Sequence, residues 1–200
     1  MDGNTKTGDD RMGKITFITG GARSGKSHHA EMLAKRFDDV AYIATGIATD
    51  EEMKARIAKH REDRPASWTT YEAPYDIAAA VRKNAHQVYL IDCITVHITN
   101  LLLREKQDWD TDTLDPAEEK RLEKAVEGKI AELIGEMEKS PAQFIVVSNE
   151  VGMGLVPAYP LGRIFRDLSG RANRMLAEKA QRAYFAVSGM LLPLKPEITL

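Results

Sequence analysis

Residues 20–27 read Gly-Gly-Ala-Arg-Ser-Gly-Lys-Ser and fit the pattern G-x-x-x-x-G-K-[ST] at every position. Its chemistry is phosphate binding. Gly20, Gly21 and Gly25 let the backbone curl tightly, so that N–H groups along Ala22, Arg23 and Ser24 point inward at phosphate oxygens. A following helix adds the positive end of its dipole. Lys26 then reaches the β- and γ-phosphates of a nucleoside triphosphate, and the Ser27 hydroxyl ligates Mg²⁺. Such a loop needs a second acidic group beyond the sheet edge to complete the metal shell. Asp92 ends the apolar run 87–92, QVYLID, where that carboxylate belongs. The competing reading of Asp92 is a strand-terminal cap for the helix that starts near Thr95.

The loop works only between a strand and a helix. The run KITFIT at 14–19 supplies the strand, and residues 26–37 the helix. Apolar runs at 40–45, 87–92, 143–148 and 183–187 read as further strands, with a weaker one at 68–72 and an edge strand in LLPLK. Helices are expected over 50–63, 75–84, 95–104, 118–139 and 161–182, the last two from one-sided apolar stripes. The Asp-rich stretch 105–117 is expected to be a solvated loop. Strands separated by helical stripes predict an α/β architecture, a P-loop NTPase fold whose mostly parallel sheet is flanked by helices on both faces.

The chain has 200 residues, 43% hydrophobic and 29% charged, which suits one domain with a sizeable core. That domain is expected over 14–200, with 1–13 as a flexible extension too polar to bury. Lys plus Arg number 28 against 30 Asp plus Glu, a formal charge of −2, which argues against a nucleic-acid partner. One cysteine, Cys93, cannot form an internal disulfide. No apolar run approaches the ~20 residues that span a bilayer, and the polar start is unlike a secretory signal. A cytoplasmic location is expected.

Several further stretches carry a resemblance. GGARSGKS at 20–27, YIAT at 42–45, RIAKHREDRP at 56–65, DCIT at 92–95, TNLL at 99–102, SNEVGMGLVP at 148–157 and FRDLSGRANRMLA at 165–177 follow one family's order. Together they resemble the bifunctional adenosylcobinamide kinase/adenosylcobinamide-phosphate guanylyltransferases of cobalamin biosynthesis. The resemblance runs from about residue 14 to 195 and leaves out the N-terminal extension and the acidic 105–117 stretch.

The resemblance implies a homo-oligomer using GTP and ATP with Mg²⁺. One reaction would phosphorylate the aminopropanol hydroxyl of adenosylcobinamide. The other would transfer GMP from GTP to that phosphate through a guanylylated histidine, placed by the resemblance at His60. Catalytic roles then fall to His60 and Lys26. Guanine-nucleotide contacts are implied at Ala44, Thr45 and Gly46, at Arg61, Glu62, Asp63 and Arg64, at Glu72 and at Asp92. Read from the residues alone, His60 lies between Lys59 and Arg61 on a charged helix and is a solvated surface residue. Glu62 and Asp63 are equally readable as ordinary surface charge.

Other candidates are weaker. His28 and His29 read as helix-surface or packing residues, His86 as part of a turn, His97 as a hydrogen-bonded packing residue and Cys93 as a small buried residue behind Asp92. Asn149 and Glu150 lie in a loop after a strand, readable as substrate-facing or as a structural turn. Arg163, Arg166, Arg171 and Arg174 line the polar side of the last long helix. Two other functions fit the P-loop alone: a kinase of another small metabolite, and a nucleotide-binding regulator.

Overall fold

A computed structural model of the chain describes residues 14–48, 51, 54, 55, 58 and 64–195. The strong apolar runs form β1 (Ile15–Gly20), β2 (Val40–Ala44), β4 (Val88–Asp92), β5 (Gln143–Val147) and β6 (Arg182–Val187). The weaker ones form β3 (Thr69–Glu72) and β7 (Met190–Lys195). The helices whose ends are both described are α1 (Lys26–Ala34), α2 (Ile77–Lys83), α3 (Ile94–Glu105), α4 (Pro116–Lys139) and α5 (Pro160–Lys179).

All seven strands join one sheet in the order β3-β2-β4-β5-β1-β6-β7. The β6–β7 pair is antiparallel and the other neighbours are parallel. Covered on both faces, the central strands read as continuous apolar runs. Their side chains alternate between two cores. Phe17, Ile43, Ile91 and Val146 face one, together with α2, α3, α4 and α5. Ile18, Tyr42, Leu90 and Val147 face the other, against Ala30 and Ala34 of α1. This is the expected α/β, P-loop arrangement of a parallel sheet between helices.

Local chemistry sets the helix ends. α4 starts two residues before the expected position, because Asp115 accepts from the N–H groups of Ala117 (2.9 Å) and Glu118 (3.2 Å), with Pro116 at the first turn. The acidic loop therefore stops at Asp115. α5 ends at Lys179, earlier than the expected 182, because Gln181 pairs with β1. Its N–H donates to Ile15 O at 3.0 Å and its Oε1 accepts from Ile15 N at 2.8 Å. α1 likewise stops at Ala34, short of the expected 37. The LLPLK edge strand is present in β7, reached through a turn in which Ser188 (φ 51°) and Gly189 (φ 80°) are both left-handed.

Two expectations fall on other ground. The extension 1–13 lies outside the described residues, as does most of the helix expected over 50–63. Residues 51, 54, 55 and 58 of that helix are described and are helical. Among the described residues no helix is long and apolar enough to cross a membrane.

Candidate active site

The strand registers assemble one edge. Glu72 stands opposite Ala44, Ala44 opposite Asp92, Asp92 opposite Val147 and Val147 opposite Ile18. The C-terminal ends of β3, β2, β4 and β5 thus line up with the end of β1, where the loop 20–27 begins. Ligands of open parallel sheets bind along this edge.

The loop itself rests on special backbone. Gly20 lies so close to β6 that an added Cβ would stand 2.2 Å from the Ala186 carbonyl oxygen. Gly25 caps α1 with φ 95°, a left-handed conformation that only glycine adopts cheaply. Arg23 also has positive φ, 56°. Two main-chain contacts brace the loop from outside: Glu150 N donates to Gly20 O (2.9 Å), and Gly189 N to Ser24 O (3.1 Å). His29 donates through Nε2 to Gly189 O at 2.8 Å, so it ties α1 to the β6–β7 turn. His28 is exposed, as expected of a helix-surface residue.

Lys26 points into this loop. Its side chain is buried, and its ammonium donates to Gly21 O and to Ser24 Oγ, both neutral acceptors. Burial pulls its pKa below the usual lysine value, while the nearby Cys93 and Asp92 raise it. A buried cation held by neutral oxygens favours an arriving anion. Ser27, half-buried, follows on the first turn of α1, and Ala22 and Arg23 are exposed at the rim.

Asp92 is half-buried at the end of β4. Its Oδ2 accepts from the Tyr42 hydroxyl at 3.1 Å, and no other hydrogen bond reaches its side chain among the described residues. The capping alternative is not realised: Cys93 is the residue before α3, and it makes no side-chain cap bond. Thr45 is completely buried. Its hydroxyl donates to Cys93 O and accepts from Cys93 N, both at 2.9 Å, and its own N–H donates to Asp92 O at 3.4 Å. Asn100 of α3 donates to Thr45 O at 2.7 Å. Thr45 therefore acts by holding the end of β4, and its side chain offers no surface to a ligand. Ala44 and Gly46 beside it are half-buried, and Glu72 is exposed on the same edge.

Arg64 reaches the same corner. Its guanidinium carbon stands 3.2 Å from the centroid of the Tyr42 ring, and its Nε and Nη1 are buried with no hydrogen-bond partner among the described residues. Burial first, and the Asp92 charge second, push the Tyr42 phenol far above its usual range, so it stays protonated and donates. His60, Arg61, Glu62 and Asp63 lie outside the described residues.

The remaining candidates have structural partners. His97 is buried; its Nδ1 bonds to Pro74 O at 2.9 Å and burial depresses its pKa to about 4, which is the packing role expected. Burial raises the Cys93 thiol to about 11, so the thiolate is disfavoured. Asn149 donates to Thr95 Oγ1 (2.7 Å) and its carbonyl accepts from Asn173 (3.0 Å). Glu150 turns back onto Gly152 N at 2.7 Å. Both therefore shape their loop. Arg171 pairs with Glu123 and Glu127, Arg166 with Asp167 and Arg174 with Glu178, while Arg163 donates to the Ala158 carbonyl. The loop they support leaves Met153, Leu155, Val156 and Tyr159 exposed.

Sequence reasoning missed Tyr42 and His29. Tyr42 reads as one more aromatic in a core strand, and His29 meets its partner only through the fold.

The model of the family described as cobinamide kinase / cobinamide phosphate guanyltransferase matches residues 16–194. The bifunctional adenosylcobalamin biosynthesis protein CobU of Escherichia coli is 42% identical over 183 residues, covering 90% of this chain and 99% of that protein. CobP of Pseudomonas aeruginosa, of the same description, is 43% identical, covering 90% and 97%. Among solved structures, a KaiC-like protein of Pyrococcus horikoshii aligns with a TM-score of 0.43 at 12% identity, covering 87% of this chain and 71% of that one. Matched over residues 16–194 by the family and over 90% of its length by these relatives, the chain belongs to the cobinamide kinase / cobinamide phosphate guanyltransferase family.

Proposed function

We propose that this chain catalyses two successive reactions at the sheet edge. In the first, the aminopropanol hydroxyl of adenosylcobinamide attacks the γ-phosphorus of ATP or GTP. The hydroxyl loses its proton, the phosphate ester forms and the nucleoside diphosphate leaves. In the second, a neutral His60 imidazole attacks the α-phosphorus of GTP, forming a P–N bond and expelling pyrophosphate. The adenosylcobinamide phosphate oxygen then takes GMP from His60, giving adenosylcobinamide-GDP and the free imidazole.

The observation that carries this reading is the buried Lys26 ammonium, held among the described residues by neutral oxygens inside the 20–27 loop, in a chain of this family. Gly20 to Gly25 hold the phosphates through backbone N–H groups, and Lys26 neutralises charge developing on the transferred group. Arg61 and Arg64 hold the phosphates of the guanylylating GTP, with Ala44, Gly46, Glu62, Asp63 and Glu72 around the nucleotide. The residues present fit Mg²⁺: Ser27 supplies a hydroxyl, and Asp92 has one carboxylate oxygen engaged by Tyr42 and the other without a hydrogen bond among the described residues. When bound, Mg²⁺ neutralises and orients phosphate oxygens. The exposed apolar loop around Met153 and Leu155 suits the broad apolar face of a corrinoid. The same reading includes a homo-oligomer in the cytoplasm.

Intact-mass measurement after incubation with Mg²⁺ and GTP tests the second reaction. Wild type should carry a GMP adduct that is acid-labile and alkali-stable, and His60→Ala should carry none. Wild type that binds GTP without forming the adduct would overturn the transferase role. In the first reaction, Lys26→Ala should lower phosphoryl transfer to adenosylcobinamide by about 100-fold or more.

A further inference from the structure

The sheet edge contains one side chain that touches both halves of the proposed machinery, and it is neither a loop residue nor a nucleophile. Tyr42 is nearly fully buried on β2. Its hydroxyl donates to Asp92 Oδ2 at 3.1 Å, and its ring lies 3.2 Å beneath the Arg64 guanidinium carbon. Arg64 directly follows His60, Arg61, Glu62 and Asp63 in the chain.

Each contact has a directional consequence. A carboxylate with one oxygen engaged by a buried donor has a restricted rotation, which leaves its other oxygen for an outside partner. A guanidinium stacked on a ring is held in plane, with its N–H groups directed sideways. Two of those nitrogens, Nε and Nη1, are buried without a partner among the described residues. Buried donors without acceptors are rare, and a phosphate oxygen is a strong acceptor for a planar N–H fork.

We propose that Tyr42 is a positioning residue for the metal–nucleotide complex: its hydroxyl aims Asp92 at the Mg²⁺ shell, and its ring seats Arg64 to receive phosphate. The proposal rests on the nucleotide reading above. It assigns separate tasks to the two ends of one side chain, so they can be separated by mutation.

The test titrates the full-length protein with a fluorescent GTP analogue, once in EDTA and once across a Mg²⁺ series. Tyr42→Phe keeps the ring and removes the hydroxyl. It should raise the half-saturating Mg²⁺ by about three- to tenfold, the range of one ordinary net hydrogen bond, with affinity in EDTA unchanged. Arg64→Ala should do the reverse, weakening binding in EDTA by about tenfold at an unchanged Mg²⁺ midpoint. A general loss of packing would move both quantities in both variants. In the Asp92→Asn background, Tyr42→Phe should have no further effect on the Mg²⁺ midpoint, because the hydroxyl acts through that carboxylate. Circular dichroism checks the fold of each variant, and the Arg64→Ala arm tests the seat even where a Tyr42 variant misfolds.

Unchanged Mg²⁺ midpoints in Tyr42→Phe, or equal effects with and without Asp92, overturn the aiming role. Unchanged EDTA affinity in Arg64→Ala overturns the seat. Both outcomes leave the nucleotide reading intact. Wild type that binds no GTP with or without Mg²⁺ overturns that reading and this one together.

Discussion

The loop at 20–27 is braced from outside by main-chain groups, whereas the corner around Thr45 and Asp92 is held by side chains. At the loop, Glu150 and Gly189 contribute their backbone N–H groups, and close approach of Ala186 leaves no room for a Cβ at Gly20. At the corner, the Thr45 hydroxyl, the Asn100 amide and the Tyr42 phenol each make a specific bond. The difference has a physical logic. A loop that must offer its own N–H groups to phosphate is best held by elements that leave side chains out of the way. A carboxylate that must be aimed needs donors of fixed position. The loop should therefore respond to added atoms and the corner to removed polar ones.

Gly20→Ala gives the largest expected effect. Its new Cβ would meet the Ala186 oxygen at 2.2 Å, and the obstacle is backbone, which cannot swing aside. Stability should fall by about 3 kcal/mol or more, through forced backbone displacement. Gly21→Ala, one residue on, meets nothing within 4 Å and should change stability by less than about 0.5 kcal/mol. Urea unfolding of the two variants measures the contrast. Equal midpoints would mean that the loop is not held against β6 in the way described.

The corner has a pH signature next in size. His97, on α3 beside Asn100, is neutral in the fold because burial depresses its pKa from 6.5 to about 4. The unfolded chain therefore binds the extra proton between those values, and stability falls as pH drops from about 6.5 toward 4. Above 6.5 the contribution is flat. The full effect is on the order of 3 kcal/mol. His97→Gln should remove that part of the slope in urea titrations at pH 7 and 4.5. Parallel slopes in both proteins would show that His97 titrates normally in the fold.

Thr45→Val tests the same corner by deletion. The hydroxyl both donates to and accepts from Cys93, so valine leaves a part-buried N–H and a carbonyl without that partner. A loss of about 2 kcal/mol is expected, and Thr45→Ser should recover most of it. If valine is neutral, the end of β4 is held by the sheet alone.

The same contrast explains what could be read from the chain. The 20–27 loop was legible because its chemistry is written in consecutive residues, and the strands because burial on both faces makes uninterrupted apolar runs. Asp92 was legible as the last residue of such a run. Its relation to Tyr42 was not: the two are adjacent only through the β2–β4 register, and an aromatic in VAYIA reads as core. Thr45 was singled out by resemblance as a nucleotide contact, and the bonds of its hydroxyl to the Cys93 backbone were not legible, because the two residues meet only in the fold. The start of α4 at Asp-Pro carried a local cap signal that the apolar stripe, beginning at Leu122, overshadowed. His60, the proposed nucleophile, owed its selection wholly to resemblance and lies outside the described residues.

His29 offers the smallest and sharpest probe, because among the described residues its side chain joins the backbone bracing of the loop. Its Nε2 donates to Gly189 O at 2.8 Å, while Gly189 N independently donates to Ser24 O. His29→Ala removes the first bond and leaves the second. The lost bond is solvent-exposed at a turn that the β6–β7 pairing already fixes, so water replaces the donor at little cost. Stability should fall by no more than about 1 kcal/mol, and nucleotide affinity should change by less than about twofold. A loss as large as that of Thr45→Val would show that the turn needs the imidazole to reach the loop. The loop would then depend on a side chain as the corner does, and the division between the two regions would fail at the residue where it is most exposed to test.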